Sequence, residues 1–323
     1  MKRATLLMAV GLAALGVTAA QAQPVDRGDR PILEVVTALE TGEFVWAPEL
    51  SPQGPMLLVV NLASQRAVLF RNGVPIAAST VSTGREGYET PTGVFTILQK
   101  RKEHYSNLYD DAPMPNMQRL TWGGVALHAG NLPGYPASHG CIRLPMAFSA
   151  LLFDTTSLGM TVVITDVPAA PQVSAAPGVA VVGGAAGKQS IEAASFEWHP
   201  ERVTSGVVSV VVSVADQRAV VLRSGIEIGS APVRVDGALA GPIAYVLSAA
   251  DESGRQWLKL DLAGSGEGSE IGADEADRFL APTAFRSAVN DILKPGTVVI
   301  VTPQSLAAAS AGENVTVIEA GES

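Results

Sequence analysis

Short apolar runs separated by polar turns recur along the chain and predict a mainly β protein with few helices. Residues 57–61 and 67–70 are runs of strand length, and residues 71–73 (Arg-Asn-Gly) carry the Asn-Gly signal of a hairpin turn. Apolar runs of this length, bounded by turn residues, are typical of strands. Helices are predicted at three places, each opening on a proline, which fits a helix's first turn: residues 31–40, 145–153 and 282–293.

The strand pattern repeats itself with a fixed offset. Residues 65–68 (Gln-Arg-Ala-Val) recur as residues 217–220, a shift of 217 − 65 = 152 positions, and residues 71–73 recur as 223–225 (Arg-Ser-Gly) at the same shift. The two copies also end in similar runs, Leu-Gly-Met-Thr-Val-Val-Ile-Thr at residues 158–165 and Lys-Pro-Gly-Thr-Val-Val-Ile-Val at residues 294–301. Because polar residues share the offset, duplication is favoured over a chance similarity of valine-rich strands.

The N-terminus has the layout of a secretory signal peptide. Lys2 and Arg3 precede an apolar run at residues 6–15, and Ala20-Gln21-Ala22 is a small-x-small cleavage site. The alternative is an uncleaved membrane anchor, but the run is shorter than the roughly 20 residues of a spanning helix. We therefore expect a mature, exported, periplasmic or cell-wall-associated protein that begins near Gln23.

Length and composition favour two globular domains, at about 100–200 residues each. Hydrophobic residues make up 47% of the chain and charged residues 16%, which excludes a disordered chain and a coiled coil. The formal net charge of −9 excludes a basic nucleic-acid binder, and no later segment is apolar enough to span a membrane. The predicted segments are a signal peptide (1–22), an N-terminal extension (23–54), a first β-rich unit (55–167), an Ala/Gly/Pro-rich linker (168–195), a second copy (196–304) and a tail (305–323).

The residues that could act in catalysis or bind a metal are concentrated between positions 124 and 145. This stretch holds Cys141, the only cysteine, and two of the four histidines, His128 and His139. A thiol near a helix N-terminus feels a positive potential, so the predicted helix at residues 145–153 leads us to expect a lowered pKa for Cys141. An adjacent imidazole can take the thiol proton and leave a thiolate that attacks carbonyls. Gly140 permits a tight turn that aims N–H groups at an oxyanion.

Two other interpretations of the cysteine stay open on residue chemistry alone. A lone cysteine is most often a small buried hydrophobe. His128, His139 and Cys141 are also three candidate zinc ligands, although their spacing is unlike that of a zinc knuckle and no fourth ligand stands out.

The segment Ser138-His139-Gly140-Cys141-Ile142-Arg143, preceded by His128, resembles the signature of the L,D-transpeptidase catalytic (YkuD) family. Residues 81–84 (Val-Ser-Thr-Gly) and 90–95 (Thr-Pro-Thr-Gly-Val-Phe) strengthen the resemblance, which covers about residues 55–167. It implies a β-sandwich-like catalytic domain with a short helix after the nucleophile and a cysteine acyl-enzyme. It implies no metal or other cofactor. The implied substrates are peptidoglycan stem peptides, cut with release of D-alanine and joined to an amine of a neighbouring stem.

The same resemblance implies roles for individual residues. Cys141 is the expected nucleophile and His128 the expected base, with His139 as the alternative base. His139 and Ser138 shape the site, and the Gly140 and Cys141 N–H groups form the oxyanion hole. Arg143 and Tyr135 are expected to bind substrate, Arg143 through a carboxylate. Where some members have a hydroxyl residue after the base this chain has Ala129, so a backbone carbonyl must orient the imidazole.

Several functional alternatives remain open at this level. Water in place of an amine would make the protein a carboxypeptidase or endopeptidase, and an inert site would leave a wall-binding module. Residues 201–303 contain neither cysteine nor histidine, so we expect a degenerate YkuD-like copy that binds glycan or a partner protein, or buttresses the first unit. Residues 99–122 form either a lid or a packed surface loop. The sequence does not identify the acceptor of the acyl group, and an acceptor that is itself a protein stays open.

Overall fold

The computed structural model describes residues 24–106, 112–167, 172–177, 195–236, 239, 241–251, 254–262 and 279–306 and confirms a mainly β protein. The predicted signal peptide and nearly all of the predicted tail lie outside the described residues. The described helices are α1 (Ile32–Ala38), α2 (Met146–Thr155) and α3 (Thr283–Ile292). The described strands are β1 (Phe44–Trp46), β2 (Met56–Asn61), β3 (Arg66–Arg71), β4 (Val74–Thr80), β5 (Gly93–Thr96), β6 (Gln99–Arg101), β7 (Met117–Arg119), β8 (Ala126–Ala129), β9 (Ile142–Leu144), β10 (Thr161–Thr165), β11 (Gln172–Pro177), β12 (Glu197–Trp198), β13 (Val208–Ser213), β14 (Arg218–Arg223), β15 (Ile226–Pro232), β16 (Arg234–Val235), β17 (Ile243–Asp251), β18 (Gly254–Asp261), β19 (Phe279–Leu280) and β20 (Val298–Thr302).

The first unit is a sandwich of two sheets and one helix around a single apolar core. Its larger sheet has the order β1-β4-β3-β2-β10-β5, and its smaller sheet has the order β6-β7-β8-β9. Leu58 from the larger sheet, Leu127 and Ile142 from the smaller one and Phe148 from α2 belong to one buried cluster. Helix α2 follows directly on β9, so the expected sandwich with a short helix after Cys141 is confirmed.

The described residues of the second unit repeat the larger sheet of the first, and β16 and β19 form a separate two-stranded sheet. The order β12-β15-β14-β13-β20-β17 reproduces that of the first large sheet, and β18 and β11 extend it. Strands β13, β14 and β15 begin and end 152 positions after β2, β3 and β4. Gln65 and Gln217 even share a left-handed backbone, with φ of 52° and 48°. The ring of Phe148 meets Trp46 in the first unit as that of Phe285 meets Trp198 in the second. The degenerate copy is therefore confirmed as a second β-rich unit.

Three sequence-based boundaries need correction. Strand β1 pairs with β4, so the predicted N-terminal extension supplies an edge strand of the first unit. Strand β11, inside the predicted linker, pairs with β18, while residues 168–171 and 178–194 lie outside the described part. The predicted loop at residues 99–122 contains β6 and β7. Strands β1, β6 and β7 have three residues each, too few for a visible alternation, and the Ala- and Pro-containing β11 gives no strong strand signal.

The two units pack back to back through a shared apolar core. In the first large sheet Leu58 faces the unit's own core, whereas Leu57 and Val59 belong to a cluster that also holds Val246 and Val298 of the second unit. Neighbouring residues of a strand point to opposite faces, so a strand buried on both sides reads as a continuous apolar run. Hydroxyls of Thr161 and Ser209 lie 2.9 Å apart at this junction. None of the described helices has the length and apolarity that crossing a membrane requires.

Candidate active site

Two neighbouring strands bring His128 and Cys141 to one face of the smaller sheet. Strands β8 and β9 run parallel, with Leu127 opposite Ile142 and His128 opposite Arg143. Leu127 and Ile142 enter the core, so the residues on either side of them, His128 on β8 and Cys141 just before β9, point the other way. Diagonal neighbours on adjacent strands are within reach of long side chains.

The Cys141 thiol is surrounded mainly by apolar side chains. The half-buried side chain packs against Met114, Met117 and Ala126, and its thiol lies 3.4 Å from the Gly124 carbonyl. Burial raises the pKa of the thiol, although a backbone hydrogen bond at Ala126 and nearby arginines oppose the rise. The expected lowered pKa is therefore wrong for the resting site. Strand β9 separates the cysteine from helix α2, which begins only at Met146.

His128 is a buried, neutral imidazole with a defined tautomer. Its Nδ1 lies 2.8 Å from the Ala129 carbonyl, and since a carbonyl only accepts, Nδ1 carries the proton and Nε2 is left as the acceptor. The backbone carbonyl expected to orient the imidazole is thus the carbonyl of Ala129. Burial lowers the pKa of His128 to about 4, even though the Ala129 hydrogen bond acts in the opposite direction.

His139 lies at the rim of the site in contact with Arg85. The guanidinium donates to His139 Nε2 across 2.8 Å, so this nitrogen is an acceptor already in use. The Tyr88 ring meets the imidazole edge-on at 4.5 Å, and Arg85 lies 4.8 Å from the centre of the same ring. Burial, followed by the charges of Arg85 and Arg143, lowers the pKa of His139.

The upstream motif braces the loop that carries the cysteine. Ser82 and Gly84 form β-bridges with Arg143 and Ser138 respectively. The Arg85 N–H donates to the Ser138 carbonyl across 3.1 Å. A Cβ added at Gly84 would collide with the Tyr88 carbonyl and lie 2.6 Å from the Thr90 nitrogen, so the tight fold of the 84–90 segment onto itself requires glycine here.

The remaining predicted site residues surround the cysteine. Buried Ser138 donates from Oγ to the Cys141 carbonyl at 2.5 Å, which closes the turn through Gly140. Arg143 runs across Gly130, where an added Cβ would lie 3.0 Å from its side chain. The Arg143 charge acts on the pKa values of Cys141 and both histidines. Tyr135 is 62% exposed at the rim, and its carbonyl accepts from Ser82 Oγ at 2.8 Å.

Sequence reasoning missed Arg85, Thr90 and Arg119 as members of this site. Arg85 follows the first upstream motif and Thr90 opens the second, so position in the motif was the available signal for both. Arg119 lies on β7, where its charge also acts on the pKa of Cys141, and no sequence signal marks it. Within the described residues, no group of three or more His, Cys, Asp or Glu side chains is placed to hold a metal ion.

Comparison with solved structures finds L,D-transpeptidases. One from Mycobacterium smegmatis is 24% identical with a TM-score of 0.33, and the match covers 34% of this chain and 58% of that one. One from Stackebrandtia nassauensis is 28% identical with a TM-score of 0.32, over 35% of this chain and 56% of that one. The chain thus spans less than two thirds of the length of either protein. No curated protein matches the chain significantly.

A family model agrees with the motifs and with the fold of the first unit. The matching residues, 55–164, include both upstream motifs, His128 and Cys141. They end within β10, the central strand that closes the first unit. Residues 55–164 thus match the model of the YkuD family, the L,D-transpeptidase catalytic domain.

Proposed function

We propose that the protein is an exported L,D-transpeptidase that cross-links peptidoglycan stem peptides through an acyl-enzyme on Cys141. The observation that carries this proposal is the position of His128 on β8, which pairs with β9 directly after Cys141. The Ala129 carbonyl holds His128 Nδ1–H, which leaves Nε2 to accept the thiol proton. The site therefore offers a nucleophile, a base and a fixed orienting group.

The first half-reaction transfers the stem peptide to the enzyme. The thiol proton of Cys141 passes to His128 Nε2 while the sulfur attacks the carbonyl carbon of the L–D peptide bond. The Gly140 and Cys141 N–H groups stabilise the oxyanion. Collapse of the tetrahedral intermediate breaks the C–N bond and forms a thioester, and His128 returns its proton to the amine of the departing D-alanine.

The second half-reaction regenerates the thiol. An amine of a neighbouring stem attacks the thioester carbon and gives a proton to His128. Collapse forms the new peptide bond, and the sulfur leaves with the proton that His128 returns. His128 serves as base in both halves, whereas the acceptor nitrogen of His139 is held by Arg85. We therefore assign His139 to shaping the rim and Ser138 to holding the turn.

The electrostatics of the site support a thiol that ionises only during attack. The pKa of Cys141 is raised and that of His128 is lowered, so a thiolate–imidazolium pair is disfavoured in the empty site. Proton transfer then accompanies carbon–sulfur bond formation, when the negative charge moves from the sulfur to the oxygen facing the N–H donors.

Cationic side chains at the rim suit an anionic substrate. Arg85, Arg119 and Arg143 all lie near the cysteine or His139 in a protein whose formal net charge is −9. We assign Arg143 to binding a carboxylate of the stem peptide, with the exposed Tyr135 as a contact surface. Because stem peptides lie outside the cytoplasm, this function agrees with the signal-peptide layout of residues 1–22 and with a periplasmic location.

Incubation with tetrapeptide muropeptides, followed by mass spectrometry, tests the proposal. Cross-linked dimers are expected from the intact protein, and Cys141→Ala should abolish them while leaving circular dichroism unchanged. Tripeptides alone would favour hydrolysis of the same acyl-enzyme. Unchanged substrate, together with no mass adduct from a carbapenem, would contradict an enzymatic role and favour a wall-binding module.

A further inference from the structure

A buried threonine connects the second upstream motif to the loop of the nucleophile. The Thr90 side chain, 3% exposed, donates from Oγ1 to the Gly140 carbonyl at 2.9 Å and accepts from the Gly84 N–H at 2.8 Å. One hydroxyl thus joins two backbone groups on separate segments. The nucleophile–base chemistry described above does not use it.

The carbonyl that Thr90 holds belongs to a peptide group of the proposed oxyanion hole. The Gly140 C=O and the Cys141 N–H share one planar trans peptide, so they point in opposite directions. Fixing the carbonyl therefore fixes the direction of the N–H. A hydrogen bond on a carbonyl also polarises the N–H of the same peptide, because linked hydrogen bonds strengthen one another.

The backbone at this point needs an external restraint. Gly140 has a φ of +98°, a conformation that glycine adopts freely, and it has no side chain to limit rotation. The nearest atoms to a Cβ built there are carbonyl oxygens 3.8 Å and 3.9 Å away, so no close side-chain contact stands at that position. Ser138 holds the next carbonyl, that of Cys141, and the Thr90 hydroxyl holds the Gly140 carbonyl itself.

We propose that Thr90 is a positioning residue that orients and polarises the Cys141 N–H toward the oxyanion of the acylation step. This inference rests on the proposed function and assigns it one further residue. Thr90 affects the acylation step only by orienting the Gly140–Cys141 peptide group. Its effect is therefore confined to reactions in which negative charge develops on an oxygen beside that N–H.

Comparing two reactions of Cys141 isolates this effect. A carbapenem acylates the thiol through an oxyanion, whereas iodoacetamide alkylates it by displacement at carbon without one. Both rates are measured by intact mass on the full chain and on its Thr90→Val, Thr90→Ala and Thr90→Ser variants. Thr165→Val is the matched control, since the buried Thr165 hydroxyl accepts only a backbone N–H, that of Val167, at the end of β10.

Thr90→Val and Thr90→Ala should slow acylation by about 10-fold, less than the ~10²–10³ measured when an oxyanion donor itself is removed. Alkylation should stay at the wild-type rate, Thr90→Ser should restore acylation, and Thr165→Val should change neither rate. Thr90→Val places a methyl group against the Gly140 carbonyl and the Gly84 N–H, which Thr90→Ala avoids, and melting curves identify the variant that keeps its fold.

Equal acylation in the folded variants would overturn the role of Thr90. A parallel fall of both rates would overturn it as well, because it would show a merely structural role. A wild-type protein that iodoacetamide alkylates but the carbapenem does not acylate would instead contradict the proposed function, and the role of Thr90 would fall with it.

Discussion

At the scale of single residues, the most consequential feature is the burial of His128. The residue is 7% exposed, and burial, with smaller contributions from Arg143 and His104, lowers its pKa to about 4. Desolvation disfavours the charged form of an imidazole, and only the neutral form can accept the thiol proton. The low pKa thus keeps the base available in mildly acidic surroundings.

This burial predicts an unusual pH dependence at the acid end for the proposed acylation of Cys141. A lowered pKa means that the active neutral form persists below the ordinary value of about 6.5. We expect the acylation rate of Cys141 to be nearly constant from pH 7 to pH 5 and to fall as the pH drops through about 4. Pre-steady-state acylation by a carbapenem measures this profile, with circular dichroism at each pH to verify the fold.

Variants of the two histidines complete that test. His139→Gln should keep the acid limb near pH 4, whereas His128→Gln should remove it together with most of the activity. An acid limb near pH 6.5, or one that His139→Gln abolishes, would show that His128 is not the base.

At the scale of elements, the site depends on how tightly the segment from Ser82 to Thr90 lies against the cysteine loop. Gly84 forms a β-bridge with Ser138 of that loop, and its backbone lies directly against Tyr88 and Thr90 of its own segment. Gly84→Ala should distort the segment that carries Thr90, destabilise the protein by about 1–3 kcal/mol and lower Cys141 acylation, since overpacking shifts the backbone. Thermal melting and acylation rates measure the two effects.

Gly123→Ala is the control for this prediction. A Cβ at Gly123 meets only Thr121 Oγ1, at an ordinary 3.7 Å, so stability and acylation should stay near wild type. Wild-type acylation in Gly84→Ala would mean that the upstream motif does not hold the loop.

Elements defined by local signals could be predicted from the sequence, and those defined by distant pairing could not. The hairpin at Asn72-Gly73 and the helix after Pro145 rest on nearby residues, and the repeat rests on a direct similarity of two short stretches. The pairing of β8 with β9 joins segments separated by a glycine-rich loop, and β9 is only three residues long, so no periodicity reveals it. That omission led to the wrong expectation for the pKa of Cys141.

The same distinction between local and distant signals applies to the residues of the candidate site. Cys141, His128 and Arg143 were predictable because they lie within one motif-bearing stretch of sequence. Arg85 and Thr90 act through contacts with His139 and Gly140, more than 45 positions away. Such contacts exist only after the larger and smaller sheets have packed together.

At the scale of the whole molecule, the second unit covers an apolar face of the first. Leu57, Val59 and Val163 would be exposed without the strands that bring Val246 and Val298 against them. Apolar burial of this kind is the main source of stability in a folded domain. The buttressing role is therefore the one that the packing favours for the degenerate copy.

Val246→Asp tests this role in the full chain. An unpaired carboxylate in the shared core should cost several kcal/mol, lower the melting temperature of both units in one transition and reduce soluble yield. Ile226→Asp, at a position 52% exposed on the second unit, should leave melting unchanged. Independent melting of the first unit in the Val246→Asp variant would contradict a shared core.

The parallel pairing of β2 with β10 has a consequence for the order in which the chain folds. Leu57 lies beside Thr161, so a centre strand of the first unit waits for a partner that leaves the ribosome about a hundred residues later. The same delay separates Ser209 from Val298 in the second unit. Non-local pairing of this kind slows folding. The large sheet of each unit can therefore form completely only after its last strand has been synthesised. Until then the sheet stays incomplete in a chain that is still being synthesised or translocated.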